Sequence, residues 1–315
     1  LQMEYIGTLD GAEKLAGGAH YDMAWFSHAK YLTMLPETSS RIHAQEKIML
    51  SPVVLGVKES KAKQWGWNNS TKIRWNDIAD KAAAGELQFA MTNPASSNSG
   101  FTSLLGVAAA FSGSTSAITS EDINKEQLKR FFTGQKLTSG SSGWLAEAYE
   151  REQDKLDGLI NYESVLMSLN SSGKLKEKLF LIYPQEGIVT ADYPLMLLAK
   201  EKRETYNRLV EYLKSEEFQE LVMEKTSRRP VIPQVRPSKA FTSKMLIELP
   251  FPANRDTVDT LIFSFLDEVR PPSTPIFVLD VSGSMQKTRI QNLRLALKNL
   301  TGLDTSLTGK FARFR

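Results

Sequence analysis

Small hydroxyl and amide side chains crowd one short stretch of this chain, Thr92-Asn93-Pro94-Ala95-Ser96-Ser97-Asn98-Ser99-Gly100. Hydroxyls and carboxamides both donate and accept hydrogen bonds, so such a run suits an oxyanion or a carboxylate. At the start of a helix it would be joined by the first backbone N–H groups, which have no helical partner. Gly100 has no side chain to obstruct a ligand, and Thr102 lies one turn further in. No Lys or Arg stands within 92–102, so a site here would be built from neutral dipoles. The plainer reading is an ordinary helix start capped by Ser96 or Asn98.

The surrounding pattern supplies the elements to position this stretch. Leu87, Phe89 and Met91 alternate with Gln88 and Ala90, the period of a strand with one buried face. Phe101, Leu104, Leu105, Ala108 and Ala109 share one face of a helix. A second polar junction, Tyr162-Glu163-Ser164, falls between a strand at 158–162 and a helix beginning at Glu163, where the helix dipole alone favours a carboxylate. Near the N-terminus, a strand at 1–6, a helix at 10–16 and a strand at 21–27 read as a β-α-β unit. Asp10 and Glu13 have capping-box spacing, and Gly17-Gly18 stops the helix. Ligands in such sheets sit beyond the carboxyl ends of strands, which singles out Thr8 and Ser27.

Further along, 47–57 reads as a strand buried on both faces, with Pro52 near its start. Residues 58–70 read as a loop with a helical turn, in which Trp65 and Trp67 are expected to pack against apolar neighbours, stacking on a sugar ring being the alternative. Helices are expected at 75–84, 119–132 and 145–155, with a flexible polar loop at 138–144. A strand at 179–183 leads to a crossover, then helices at 201–213 and 215–225. A Pro-bearing connector at 230–237 and an amphipathic helix at 254–269 follow. Ile276-Phe-Val-Leu279 reads as an apolar strand, and a helix is expected at 289–300.

Composition narrows the function classes. A 41% hydrophobic and 24% charged chain of 315 residues is globular, with room for two cores. The net charge of +3 comes from 39 basic and 36 acidic residues, which gives no case for nucleic acid. Without cysteine there is neither a disulfide nor a thiolate metal site. No apolar run approaches the roughly 20 residues of a membrane span. His20, His28 and His43 read as turn or packing residues, and no Gly-x-Ser-x-Gly elbow or phosphate-binding Gly-Lys-Ser/Thr loop is present, so an enzyme is not expected. The chain opens on Leu1 with no export signal and reads as a fragment or a processed chain.

The order of these motifs resembles the bacterial extracellular (periplasmic) solute-binding proteins, type II-like. Residues 92–100, Asn161-Tyr-Glu-Ser164, Tyr183-Pro-Gln-Glu-Gly-Ile-Val189, Tyr212-Leu-Lys-Ser-Glu-Glu-Phe-Gln219 and Thr226-Ser-Arg-Arg-Pro-Val231 carry the resemblance over roughly 1–250. It implies an α/β fold of two lobes joined by crossovers, here expected near 85–88 and 183–192. Lobe 1 would be 1–88 plus 184–250, lobe 2 would be 89–183, and 251–272 a connector with a helix. The family starts with a strand and a helix ahead of the one at 1–6, so the N-terminal lobe is expected to be incomplete. The implied function is binding of a small solute in the cleft, an oxyanion first and an amino acid or peptide next. The ligand set would be Thr8, Ser27, Thr92, Ser96, Asn98, Ser99, Gly100, Thr102, Tyr162, Glu163 and Ser164. An extracytoplasmic location and a membrane transporter as partner follow from the same resemblance.

Asp280-Val-Ser-Gly-Ser284 is similar to the Asp-x-Ser-x-Ser motif of von Willebrand factor A domains. Residues 273–315 would then be the first strand and helix of such a Rossmann-like domain. One carboxylate and two hydroxyls, from Asp280, Ser282 and Ser284, suit Mg²⁺ with water completing the shell. That family adds a Thr and an Asp from later loops, so the metal site is expected to be incomplete here. This module also offers a protein partner. It motivates a rival reading, a metal-dependent adhesion or assembly factor in which the two lobes are scaffold.

Overall fold

The computed structural model describes residues 2–272 and 278–298. Its strands fall into two sheets. The smaller has the order β1–β9–β2, where β1 is Met23–Trp25, β2 is Ala44–Lys47 and β9 is Pro194–Leu197. Both outer strands run antiparallel to β9 and neither pairs with the other. The larger sheet has the order β5–β4–β6–β3–β7, with β8 also paired to β3. Here β3 is Ser51–Lys58, β4 Phe89–Thr92, β5 Gln135–Ser139, β6 Gly158–Tyr162, β7 Leu179–Ile182 and β8 Thr190–Ala191.

In the larger sheet β4 runs parallel to β5 and β6, so the carboxyl ends of all three lie on one edge. Each end feeds a helix: Asn98–Ser112 after β4, Ser142–Glu152 after β5 and Glu163–Ser171 after β6. β3 is antiparallel to β6, which brings its first residue, Ser51, to the same edge. Three helix N-termini and the start of β3 therefore converge at one place. Ligands of open α/β sheets collect at such an edge.

Several expectations need correcting. Residues 2–6 are exposed and form no strand, and β1 pairs only antiparallel, so there is no β-α-β unit at the N-terminus. The first helix is Thr8–Ala16, and Asp10 lies in its first turn rather than at its cap. The apolar run at 47–57 is two strands, β2 and β3, in different sheets. Residues 48–50 therefore connect the two sheets, and β3 lies in the same sheet as β4 and β6. Periodicity could not show this, because 44–58 is one nearly continuous extended segment. Residues 58–70 open with a helix, Glu59–Gln64.

All four residues of β4 are buried, not one face only, because β5 and β6 flank it and helices cover it. The polar loop expected from 138 overlaps β5, whose alternating exposure marks an edge strand. The Thr119 and Asp122 pair forms a capping box, but around a single 3₁₀ turn. Asn124 then caps the helix Lys125–Phe132 by accepting from the Gln127 amide at 3.1 Å. As expected, Ser215 caps the helix Glu216–Thr226, accepting from Phe218 N at 3.2 Å.

Residues 246–269 tie the pieces together. Ile188 pairs with Glu248, whose carboxylate accepts from Thr190 N and from Lys30. Phe251 meets the His28 ring at 5.6 Å. The helix Arg255–Ser264 then buries Val258, Leu261 and Ile262, and Phe265 just beyond it meets Phe132 edge to face at 4.9 Å. Arg255 reaches Glu13 on the first helix at 3.1 Å.

Candidate functional site

At the β4 junction the Asn98 side chain is 8% exposed, and its carboxamide nitrogen donates to the Tyr162 hydroxyl at 2.9 Å. Tyr162 in turn donates to Ser27 Oγ at 3.1 Å. This short chain of hydrogen bonds leaves the large-sheet edge and ends on the segment that follows β1. Asn98 Oδ1 is buried without a partner among the described residues. Burial, and secondarily the neighbouring Tyr193, pushes the Tyr162 hydroxyl well above its ordinary range, so it acts as a neutral donor and acceptor. Thr102 Oγ1 completes the group, 3.4 Å from Asn98 Nδ2 and 3.2 Å from His28 Nε2.

The other residues of the expected set divide into two further groups. Thr92 Oγ1 and Ser99 Oγ lie 2.8 Å apart, and Ser99 also meets Ser142 at 2.7 Å. These hydroxyls satisfy one another between β4 and two helix starts. Gly100 is needed for packing rather than for a ligand: a Cβ there would lie 2.3 Å from the Thr92 carbonyl oxygen. Ser96 is half-buried, and its carbonyl would lie 3.1 Å from a Cβ on Gly7, beside the buried Thr8. The first helix start therefore faces the 92–100 loop directly.

At the β6 junction Glu163 is fully buried, and both its oxygens are taken by Arg229, at 2.7 Å each. Tyr183 donates to the same carboxylate at 2.5 Å. Two charge-assisted bonds in fork geometry leave Glu163 little capacity for a solute. Ser164 is likewise engaged, its amide donating to Ser51 Oγ at 3.1 Å. Both side chains are thus engaged within the protein, Glu163 by Arg229 and Tyr183 and Ser164 by Ser51.

Two residues that sequence reasoning passed over, Tyr193 and Arg228, stand at the cluster, beside His28, which the sequence reads as a turn or packing residue. Tyr193, with a left-handed backbone (φ 40°), links β8 to β9; its amide donates to the Ser27 carbonyl at 3.0 Å, and its ring lies 6.2 Å from that of Tyr162. Arg228 lies over Tyr193, 4.9 Å from the ring centroid, and its Nε is buried without a partner among the described residues. A cation thus borders a place expected to hold only neutral dipoles. The one available signal was the Arg228-Arg229-Pro230 triplet after a helix. His28 is fully buried between Phe101 and Phe251, and desolvation, aided by the Lys30 charge, pushes its pKa down to about 3. It is a neutral core histidine.

Trp65 and Trp67 contact each other at 4.8 Å, with Trp65 bonded to Glu86, which is packing as expected. At the far end, Asp280 Oδ1 accepts from Ser282 N at 2.8 Å, and the Ser282 and Ser284 hydroxyls are 3.0 Å apart. The three expected metal-ligand residues do share one turn. It is exposed, and its own amide lowers the Asp280 pKa. Among the described residues no group of three or more His, Cys, Asp or Glu is placed to hold a metal. Of the strand expected at 276–279, 276–277 lie outside the described residues, and Val278 and Leu279 are exposed coil. The helix Thr288–Lys298 follows.

The sequence pattern of one family, the bacterial extracellular solute-binding proteins, matches residues 1–225. The chain belongs to that family, a class of binding proteins and not of enzymes. No curated protein sequence is similar enough to match. Among solved structures the fold is similar to the periplasmic binding protein AfuA from Actinobacillus pleuropneumoniae, solved with exogenous fructose-6-phosphate bound. That likeness has TM-score 0.58 and 16% identity, covering 84% of this chain and 88% of that one. It is also similar to the ferric binding protein from Campylobacter jejuni (TM-score 0.55, 14% identity, 80% and 83% covered). A periplasmic thiamin binding protein gives TM-score 0.58 at 10% identity, with 82% and 84% covered. These likenesses show the two-lobe α/β fold of periplasmic binding proteins. Nothing in them extends to a von Willebrand factor A domain at 273–315. No helix among the described residues is long and apolar enough to cross a membrane.

Proposed function

We propose that this protein binds a small solute where the two sheets meet, between the Asn98 helix start and the segment carrying Thr8 and Ser27. One observation carries the reading. Asn98 is nearly fully buried and linked through Tyr162 to Ser27, yet its carbonyl oxygen has no partner. Buried polar atoms are normally satisfied, so an orphan at a helix start on a ligand-binding edge is the signature of a binding site. Thr102 and Tyr193 complete the wall, while Thr92, Ser99 and Gly100 shape the loop behind it.

The sheets support a lobe division at 48–50 and at 191–194, with closure about these two passages read by a membrane transporter or by the module after residue 272. The solute is a small oxyanion first, an amino acid or peptide second. The three similar structures named above are described with a sugar phosphate, with iron and with thiamin, so fold alone does not select among solutes. An extracytoplasmic location goes with the family.

A thermal-shift screen of oxyanions, amino acids and short peptides tests this. A solute that binds only the folded chain raises its melting temperature. Asn98→Asp is expected to abolish the shift by an oxyanion through like-charge repulsion. A shift that survives this substitution unchanged would remove Asn98 from the site. Failure of every solute class to shift the melting temperature would overturn the reading.

A further inference from the structure

Two buried polar atoms beside the Tyr162–Tyr193 pair have no partner among the described residues, and they differ in kind. Asn98 Oδ1 can only accept a hydrogen bond, and Arg228 Nε can only donate one. The Asn98 amide nitrogen is already engaged, with the Tyr162 hydroxyl at 2.9 Å and with Thr102 at 3.4 Å. What Asn98 still offers a solute is therefore an acceptor. Arg228 is half-buried and has no salt bridge among the described residues, whereas Arg229 beside it is held by Glu163. A partly buried guanidinium without a counter-charge is costly, and an incoming anion would relieve that cost.

The two tyrosines connect these atoms. Tyr162 meets Asn98 through its hydroxyl, and its ring lies 6.2 Å from that of Tyr193. The Arg228 guanidinium lies 4.9 Å from the centroid of the Tyr193 ring. Burial pushes both tyrosine hydroxyls above their ordinary range, and the Arg228 charge pulls against it at each. The guanidinium is thus within electrostatic reach of the hydroxyl that Asn98 touches. Arg228 also borders a groove with Ala146, Val165 and Leu169, but no member of the Asn98 group lines it. Two serines of that groove are engaged already, Ser164 with Ser51 and Ser172 with the Leu169 carbonyl.

A fully ionised oxyanion such as sulfate answers only half of this arrangement. It suits Arg228 but has no proton to give Asn98 Oδ1, and its negative oxygens would face a carbonyl oxygen. We propose that the solute is a small organic acid that also carries a proton-donating group, its acid on Arg228 and its donor on Asn98 Oδ1. α-Amino acids and α-hydroxy acids share this chemistry, the first through an ammonium and the second through a hydroxyl. The proposal rests on the solute-binding reading above and displaces the bare oxyanion from the head of its solutes.

Calorimetry on the full chain with matched acids tests the assignment. Alanine, lactate and propionate form one set, aspartate, malate and succinate a second, and phenylalanine, phenyllactate and phenylpropionate a third, with sulfate beside them. Within the set that fits, the amino or the hydroxy acid is expected to bind at least about tenfold more tightly than the acid lacking the donor, and than sulfate, because a buried acceptor left unmet is penalised. Which of the two wins identifies the donor. Arg228→Gln should weaken that binding roughly 10- to 100-fold, the range for a lost hydrogen bond to a charged group. Arg228→Lys keeps the charge and should recover part of the loss, which damage to the fold alone would not allow. In Asn98→Ala the acids with and without the donor should bind alike, since the acceptor that told them apart is gone. Sulfate bound as tightly as the best of these acids, or an acid unaffected by Arg228→Gln, would overturn the proposal and leave the broader reading standing. Binding of none of these probes would overturn it too, and the broader reading falls only if the thermal-shift screen also finds nothing.

Discussion

Two strand-to-helix junctions on the same sheet edge were built from similar residues and put to different uses. At Asn98 the buried side chain ends in an oxygen with no partner, and the hydrogen bonds run outward to Tyr162 and Ser27. At Glu163 the helix start is closed by a carboxylate gripped by Arg229 and Tyr183. The difference is one of supply. Where the chain brings its own anion and counter-ion, the junction is a joint; where it brings a neutral amide, one buried oxygen is left without a partner among the described residues, and the proposed solute would supply that partner. Arg228 and Arg229 show the same contrast side by side, one unpaired and one held.

Substitutions that exchange these two conditions should separate the junctions. The largest effect is expected from Glu163→Ala, which leaves Arg229 half-buried without its carboxylate. Breaking a buried pair from one side costs about 3–5 kcal/mol, to be measured by urea denaturation. A loss under about 1 kcal/mol would mean that the joint is not a source of stability. Next comes Gly100→Ala at the other junction. The added methyl meets backbone rather than a movable side chain, so about 1–3 kcal/mol should be lost by the same measurement, together with any solute binding.

Acid should act on the Asn98 side. His28 is neutral in the folded chain with its pKa pushed down to about 3, against about 6.5 when unfolded. Between those values the unfolded chain binds the extra proton, so stability is full above about pH 6.5 and falls as the pH drops through the window. His28→Phe, suited to a site flanked by Phe101 and Phe251, should flatten the difference between urea midpoints at pH 7.5 and pH 5. An unchanged difference would assign the acid sensitivity elsewhere. Tyr162→Phe should have the smallest effect on stability, about 1 kcal/mol, yet should cut solute affinity by removing the link between Asn98 and Ser27.

Much of this molecule was legible in its sequence because period and punctuation are local. The strand Gly158–Tyr162, the helix Glu163–Ser171 and the Ser215 cap could all be read from neighbours in the chain. Asn98, Tyr162 and Ser27 were nominated separately from their positions at element ends, and the fold brings those three together. Glu163 shows what local reading misses: a carboxylate at a helix start looks the same whether it awaits a ligand or an arginine 66 positions away. Arg228 was hidden for the same reason, since its surroundings are Tyr193 and a groove on another helix. The residues at 48–50 carry no breaker, so the change of sheet there leaves no mark in the pattern.

The small sheet also bears on how the protein is made. β1 and β2 come early in the sequence, but among the described residues each finds its strand partner in β9. While the ribosome is still adding the residues of the larger sheet, a wait on the order of ten seconds at ordinary rates of synthesis, both early strands have open edges. Truncated products ending before Pro194 would keep those edges bare and should be the aggregation-prone species in any expression of this chain.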